Sequence, residues 1–147
     1  MSTALPLLLL AGFQTLVDRL HERLAELGHP QARPMHGFAL QAIGAGCTAA
    51  DLGRALGVSK QAAAKTIAAL EAAGYVERAA DPADARRVVV RPTARGHDML
   101  ARSAAIFGAL RAEWADELGE DTVRTVEEAL ARVAGRPRLD APSWFTR

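Results

Sequence analysis

The middle of the chain carries side chains whose chemistry suits the edges of DNA bases. The amide of Gln61 can form two hydrogen bonds with adenine N6 and N7. The ammonium groups of Lys60 and Lys65 can reach guanine or a phosphate, and the methyl groups of Ala64 and Ala68 can contact a thymine methyl. The residue types therefore predict a surface that reads DNA, provided that one element presents them together.

The apolar pattern predicts that element to be a helix. The residues expected to face inward, at positions i, i+4 and i+7, are Ala63, Ile67 and Leu70. Ser59 is the expected N-cap of this helix and is also among the residues expected to contact DNA. The helix runs from Lys60 to about Ala73, and Gly74 ends it. The side chains able to contact bases then share its outer face.

A shorter helix is predicted just before this one. Thr48 and Asp51 have the spacing of a capping box, with Asp in place of the usual Glu or Gln. Gly57 and Val58 form the turn that follows. Two short helices joined by a glycine turn predict a helix-turn-helix, with Thr48 among the residues that contact DNA. An ordinary helical bundle with a surface helix is the alternative at this point.

A β-hairpin is predicted after the second helix. Two β-prone runs, 75–78 and 87–91, flank the turn-forming sequence Asp81–Pro82–Ala83–Asp84. A hairpin after a helix-turn-helix makes the unit a winged helix-turn-helix. Asp84 and Arg86 are two residues apart, so in a strand both can lie on one side and pair. Arg86 or Arg87 is then available for the minor groove, whose narrow A·T stretches attract cations.

Long helices are predicted at both ends of the chain. The first spans about Leu7 to Leu27, and a second starts at Pro34 and ends at Gly44. Thr93 caps the fifth helix and Gly119 ends it. The inward stripe expected on this helix is Leu100, Ser103, Phe107, Leu110, Trp114 and Leu118. The sixth helix carries Val123, Val126, Leu130 and Val133, and Gly135 and Pro137 stop it.

The apolar stripes of the terminal helices exceed what one subunit can cover. Pairing with a second copy would bury them, and a two-fold dimer matches a palindromic DNA site. The predicted fold is therefore α+β and mainly α, as one domain over 1–147. Within it, 7–45 and 94–147 form a helical dimerisation region, and 46–93 form the winged helix-turn-helix lobe.

The distribution of charge agrees with this division. Residues 54–102 carry nine Lys or Arg against five Asp or Glu. Residues 1–53 carry three against four, and residues 103–147 carry six against eight. A basic middle between mildly acidic ends is expected where the middle meets phosphates.

Three sequence segments resemble the wing region of the MarR family of transcriptional regulators. They are Gly74–Tyr75–Val76–Glu77–Arg78, Asp81–Pro82–Ala83–Asp84–Ala85–Arg86 and Thr93–Ala94–Arg95–Gly96. The resemblance implies that Asp84 and Arg86 shape the wing and that an arginine near its tip enters the minor groove. It also implies a homodimeric regulator, most often a repressor, on a pseudo-palindromic operator.

The same resemblance implies a small aromatic or anionic effector, bound where helices 1, 2 and 5 meet the DNA-binding lobe. Residues of suitable type are Met35, His36 and Phe38 on helix 2 and Phe107 on helix 5. Ordinary core packing is an equal alternative for each of them.

The sequence gives little support for catalysis, metal binding, redox sensing or insertion into a membrane. The histidines lie far apart without a nucleophile or a compact set of metal ligands, so we expect no enzyme, metal site or cofactor. The single cysteine, Cys47, is more consistent with a structural thiol than with a redox sensor. The apolar start of the chain is shorter than the ~20 residues of a membrane span. We therefore expect a cytoplasmic protein without a membrane partner.

Two rival functions come from other classes. The outer face of the second short helix is rich in alanine, which leaves open a winged-helix module that binds proteins without reading DNA sequence. A small helical enzyme would require a cluster of polar residues that the sequence does not show.

Overall fold

The computed structural model describes residues 3–134. Its elements follow one another in the order α1 (Ala4–Glu26), α2 (Pro34–Ile43), α3 (Ala49–Leu56), α4 (Lys60–Ala72), β1 (Val76–Asp81), β2 (Asp84–Pro92), α5 (Ala94–Leu118) and α6 (Glu120–Ala134). The predicted class is confirmed: the chain is mainly helical, with one two-stranded antiparallel sheet after a helix-turn-helix.

The chain divides into two compact units. The terminal unit contains the described residues 3–30 and 102–134, and the winged unit contains residues 31–101. The helix α5 begins in the winged unit and continues in the terminal unit.

Local capping interactions define the two short helices of the winged unit. Thr48 Oγ1 accepts a hydrogen bond from the Asp51 amide at 3.1 Å, and Asp51 Oδ2 accepts one from the Thr48 amide at 3.1 Å. Gly57 ends α3 in the left-handed conformation at φ 66°, which glycine adopts without steric cost. Ser59 Oγ accepts from the Ala62 amide at 3.0 Å at the start of α4. Each predicted cap is confirmed.

The core of the winged unit includes apolar side chains from its helices and its sheet. The predicted inward face of α4 is confirmed, since Ala63, Ile67 and Leu70 are buried. They are joined by buried side chains from other elements, including Leu40, Leu52, Leu56, Tyr75, Val90 and Met99.

The hairpin is longer than its β-prone runs indicated. Asp81 and Asp84 pair at the ends of the strands, which leaves Pro82 and Ala83 as a two-residue turn. Asp81 Oδ1 accepts from the Ala83 amide at 2.9 Å, and Asp84 Oδ1 accepts from the Arg86 amide at 3.0 Å. Because these side chains bond the backbone of the turn, the strands extend to the tip.

The junction after the hairpin requires a glycine. Thr93 Oγ1 accepts from the Gly96 amide at 3.2 Å, which confirms Thr93 as the cap of α5. The same hydroxyl donates to the Gly74 carbonyl at 2.5 Å. A β-carbon on Gly96 would overlap the Tyr75 carbonyl oxygen, so only glycine allows this approach.

Helices α1 and α5 differ in part from their predicted bounds and apolar stripes. The helix α1 begins at Ala4 instead of Leu7. On α5, Ser103 and Leu110 are buried as predicted and Leu100 and Trp114 are partly exposed, while Phe107 and Leu118 are exposed and Met99 and Ile106 are buried. The predicted stripe was therefore partly wrong. Apolar residues cover more than one face of α5, so their spacing alone did not determine which face would be inward.

The last helix is mostly exposed in the single chain. Val123 is its one buried residue, whereas Val126, Leu130 and Val133 are exposed. The predicted stop at Gly135 and Pro137 lies outside the described residues.

Ion pairs connect α5 and α6 within this unit. The Arg111 guanidinium donates to Glu120 and Glu127 at 2.7–3.2 Å. These hydrogen bonds lower the pKa of both carboxyl groups and raise the pKa of Arg111.

None of the helices described over residues 3–134 is both long and apolar enough to cross a membrane.

Candidate nucleic-acid interface

The start of α4 presents the predicted base-reading side chains to the outside. The cap at Ser59 starts the helix so that its first turn is accessible. The exposed residues on this outer face are Ser59, Lys60, Gln61, Ala64, Lys65 and Ala68. With Ala63, Ile67 and Leu70 held in the core, the other side of the helix has the donors and small side chains needed in a major groove.

Thr48 is only partly exposed, and its hydroxyl already serves the cap of α3. A side-chain contact from Thr48 to DNA stays a prediction. What the geometry does establish is that Thr48 and Asp51 together hold the first turn of α3.

The predicted pair at the tip of the wing is present. Arg86 Nε lies 3.4 Å from Asp84 Oδ1, the same oxygen that accepts the Arg86 amide. The Arg86 side chain is nevertheless 94% exposed. An arginine that is oriented by its neighbour yet open to solvent has the properties required of a minor-groove ligand.

Arg87 is placed differently from Arg86. Its Nη2 lies 3.2 Å from Asp51 Oδ2 at the start of α3, and its Nε lies 3.8 Å from Asp81 Oδ2. The wing is thus joined to the helix-turn-helix by a side-chain contact across 36 positions of sequence. Sequence reasoning missed this role of Asp51, because no local pattern links residues so far apart.

Asp51 is held in its charged form. Hydrogen bonds from the backbone and side chain of Thr48 are the main causes that lower its pKa, and Arg54 and Arg87 add to them. The carboxylate therefore keeps its negative charge at neutral pH. It can serve the cap and the arginine of the wing at the same time.

A groove of about 460 Å³ lies between the start of α3, Lys60 and the hairpin. Four cationic side chains line it: Arg54, Lys60, Arg78 and Arg87. Asp51 also lines this cationic groove and offsets part of its charge. A concentration of arginine and lysine beside the exposed face of α4 suits an anionic phosphate backbone.

Cys47 has the properties of a structural thiol. Its amide donates to the Val90 carbonyl at 3.0 Å, and its carbonyl accepts from the Val90 amide at 2.8 Å. Burial, and then the charge of Asp51, raise the pKa of the thiol. The thiolate is the reactive form of cysteine, and a raised pKa lowers the fraction of thiolate at neutral pH. Among residues 3–134, no group of His, Cys, Asp and Glu side chains is placed to hold a metal ion.

The four candidate effector contacts are divided between the two units. Met35, His36 and Phe38 belong to the winged unit, and Phe107 belongs to the terminal unit, where it is exposed. His36 is buried, and its Nδ1 accepts from the Arg33 amide at 3.2 Å. Its ring lies edge-on to Tyr75, with 6.1 Å between the centroids. His36 thus has a packing role, and a shared effector pocket stays a prediction.

The chain is similar to known DNA-binding proteins in both sequence and structure. The sequence model of the MarR family matches residues 38–87, which include the helix-turn-helix and the tip of the wing. The crystal structure of the reduced form of MarR from E. coli is similar over 90% of this chain and 98% of that chain, with 28% identity and a TM-score of 0.73. The resemblance to the MarR family is confirmed. The chain is thus similar to MarR-family transcriptional regulators.

Two further similar structures contain a bound partner. A mutant MarR from E. coli, crystallised with operator DNA, is 28% identical, covers 89% of this chain and 94% of its own, and has a TM-score of 0.67. CouR from Rhodococcus jostii, crystallised with p-coumaroyl-CoA, is 17% identical over 92% of this chain and 94% of its own, at a TM-score of 0.63. The likeness to CouR shows the fold alone. No curated protein matches this chain.

Proposed function

We propose that this protein represses transcription by binding a pseudo-palindromic operator as a homodimer, and that a small aromatic or anionic effector releases it. The observation that carries the proposal is the pairing of two exposed features in the winged unit. One is the base-reading face of α4, and the other is Arg86 at the tip of the wing. They suit contacts to a major groove and to a minor groove.

The chemistry assigns different roles to these residues. Gln61 would read a base edge, most favourably that of adenine, while Lys60 and Lys65 would contact guanine or phosphate. The alanines of α4 would allow a close approach to the floor of the groove. Arg54, Lys60 and Arg78 of the cationic groove would face the phosphate backbone, which supplies affinity without sequence preference.

The dimer is proposed from the exposed apolar side chains of the terminal unit. Leu7 and Leu8 on α1 are each 66% exposed, and Val133 on α6 is 83% exposed. Burying apolar surface stabilises an assembly by about 25 cal/mol per Å². Helices from both chain ends would supply the surface, and a two-fold axis would place two winged units on two half-sites.

The effector is proposed from the relatives, because CouR was crystallised with p-coumaroyl-CoA. A ligand that binds the DNA-incompetent arrangement more tightly would lower operator occupancy by shifting the populations. The protein would act in the cytoplasm, where bacterial-type operators are located, and it would act by binding without catalysing a reaction.

A second function is favoured by one observation. The alanines on the exposed face of α4 limit how many base edges this helix can read. A winged-helix module that binds a protein partner without specific DNA readout is therefore the alternative.

A direct binding measurement separates the two functions. Fluorescence anisotropy with the DNA upstream of the protein's own gene should give a Kd of about 10⁻⁸ M or tighter, and at least ~10³-fold weaker binding to a scrambled duplex. Equal affinity for both duplexes at several salt concentrations would contradict sequence-specific regulation and favour the alternative.

A further inference from the structure

The neighbouring arginines of β2 have different surroundings, although both were expected to serve DNA. Arg86 is 94% exposed and pairs with Asp84 in its own hairpin. Arg87 is 52% exposed and reaches Asp51 of α3 at 3.2 Å. One arginine is thus available outside the protein, while the other makes a contact between the wing and a helix.

Within residues 3–134, this ion pair is one of two polar contacts described between the hairpin and the segment around the start of α3. The other is the backbone bridge between Cys47 and Val90, near the base of the wing. Arg87 lies three residues further towards the tip. At the tip itself, the side-chain bonds of Asp81 and Asp84 go to Ala83 and Arg86 of the turn region. The backbone bridge holds the base of the hairpin, where Val90 is also buried, whereas a second attachment nearer the tip sets the angle of the hairpin.

We propose that Arg87 and Asp51 form a strut that sets the angle of the wing and thereby places Arg86 for the minor groove. The inference rests on the proposed DNA-binding function for its consequence, but the strut itself is a property of the free protein. Arg87 is in this view a positioning residue, and Arg86 is the DNA ligand. Asp51 suits the part because the cap with Thr48 holds its carboxylate in one orientation.

The competing role for Arg87 is a direct contact with a phosphate, and salt distinguishes the two. Each cation that neutralises a phosphate releases a counterion, so its removal lowers the slope of log K against log salt by about one unit. A positioning residue leaves that slope unchanged while it weakens binding. The roles also make opposite predictions for Asp51: removing a repulsive charge beside a phosphate ligand would strengthen binding, whereas removing the strut would weaken it.

The test uses Arg87→Ala, Asp51→Asn and the double variant in the full chain. Asparagine keeps an oxygen that can accept the Thr48 amide, so the cap of α3 is retained. The matched control is Arg91→Ala, because Arg91 is 54% exposed on the same strand and pairs with Glu77 inside the hairpin. Circular dichroism checks that all four variants are folded, and Arg87→Gln, which also removes the charge, replaces the alanine variant if that one is not.

We expect each single variant to weaken operator binding about tenfold, in line with displacement of one groove contact. The double variant should be no weaker than either single one, because the two residues act as a unit. The salt slope should stay that of the wild type. A slope reduced by one unit in Arg87→Ala, or tighter binding by Asp51→Asn, would overturn the strut.

Hydrogen exchange in the free protein tests the strut without DNA. Amide exchange in the hairpin, residues 79–89, should accelerate several-fold in both single variants but not in Arg91→Ala. Unchanged exchange in either strut variant would overturn the proposal. A wild-type protein that fails to bind its operator would instead contradict the proposed function, and the exchange result would still decide the strut.

Discussion

The two units of this protein use their apolar residues in different ways. In the winged unit, Leu52 and Leu70 are fully buried, and the helix-turn-helix and hairpin close around them. In the terminal unit, α1 buries Val17, Leu20 and Leu24 but leaves leucines of its first turns exposed. One part of the sequence thus encodes a core within the chain, and the other also leaves apolar surface exposed, which is where we propose that a second copy binds.

The largest expected effect tests the core of the winged unit. Leu70→Ala should lower the free energy of unfolding by about 2–5 kcal/mol, because it removes buried methyl groups and leaves a cavity. Val88→Ala is the control, since Val88 is 56% exposed on the wing and should change stability by less than about 0.5 kcal/mol. Chemical denaturation measures both, and equal effects would contradict the assignment of the core.

The next prediction concerns the exposed apolar surface of the terminal unit. The wild type should sediment at twice the 15.6 kDa mass of the chain. Leu8→Glu combined with Leu130→Glu should dissociate the dimer at micromolar concentration, because two charges would be buried without partners. Gln14→Glu adds one negative charge at an exposed polar position of α1 and should leave the dimer intact. A monomeric wild type would show that this surface has another role.

Two substitutions in the wing distinguish an effect of net charge on DNA binding from an effect of the geometry of Arg86. Arg86→Ala should weaken operator binding about tenfold or more, because it removes a groove contact. Asp84→Ala should also weaken binding although it makes the protein more positive, since Asp84 bonds both the amide and the guanidinium of Arg86. Anisotropy at fixed salt measures both. Tighter binding by Asp84→Ala would show that Asp84 only repels the DNA and does not position Arg86.

Substitutions at two positions on the outer face of α4 should change DNA binding in different ways. Gln61→Ala should cost roughly 1–3 kcal/mol of preference at one or two base pairs. Lys65→Ala, if it removes a phosphate contact, should weaken all sequences alike and reduce the salt slope by about one unit. Binding to a panel of single-base operator variants distinguishes them. If neither substitution altered binding to a confirmed operator, α4 would not be the reading element.

The smallest expected effect is the pH dependence of the ion pairs in the terminal unit. Glu120 and Glu127 have pKa values below the ordinary 4.5 because Arg111 donates to them. A lowered folded-state pKa stabilises the protein above the unfolded pKa and loses that stabilisation as the pH falls through the folded value. Thermal unfolding between pH 6 and pH 3 should show the loss below about pH 4.5, and Arg111→Ala should flatten it. The pairs are exposed, so the effect should be small.

Much of the winged unit could be predicted because its signals are local. The cap side chains of Thr48, Ser59 and Thr93 each accept a hydrogen bond from the amide three residues later. The inward face of α4 follows from a period of 3.6 residues, and Asp84 and Arg86 pair because alternate residues of a strand share a side. In all these cases, the geometry of a few consecutive residues determines the interaction.

Only the tertiary structure determined the features that depend on contacts between different helices and strands. The stripe on α5 was rotated from the predicted one, because a helix with apolar residues on several sides takes the orientation that its neighbours favour. The strands continued to Asp81 and Asp84 once the turn residues bonded the backbone. Arg87 and Asp51, 36 positions apart, could be paired only by the fold. Sequence spacing carries information about contacts along one element, whereas contacts between elements require the packing that brings them together.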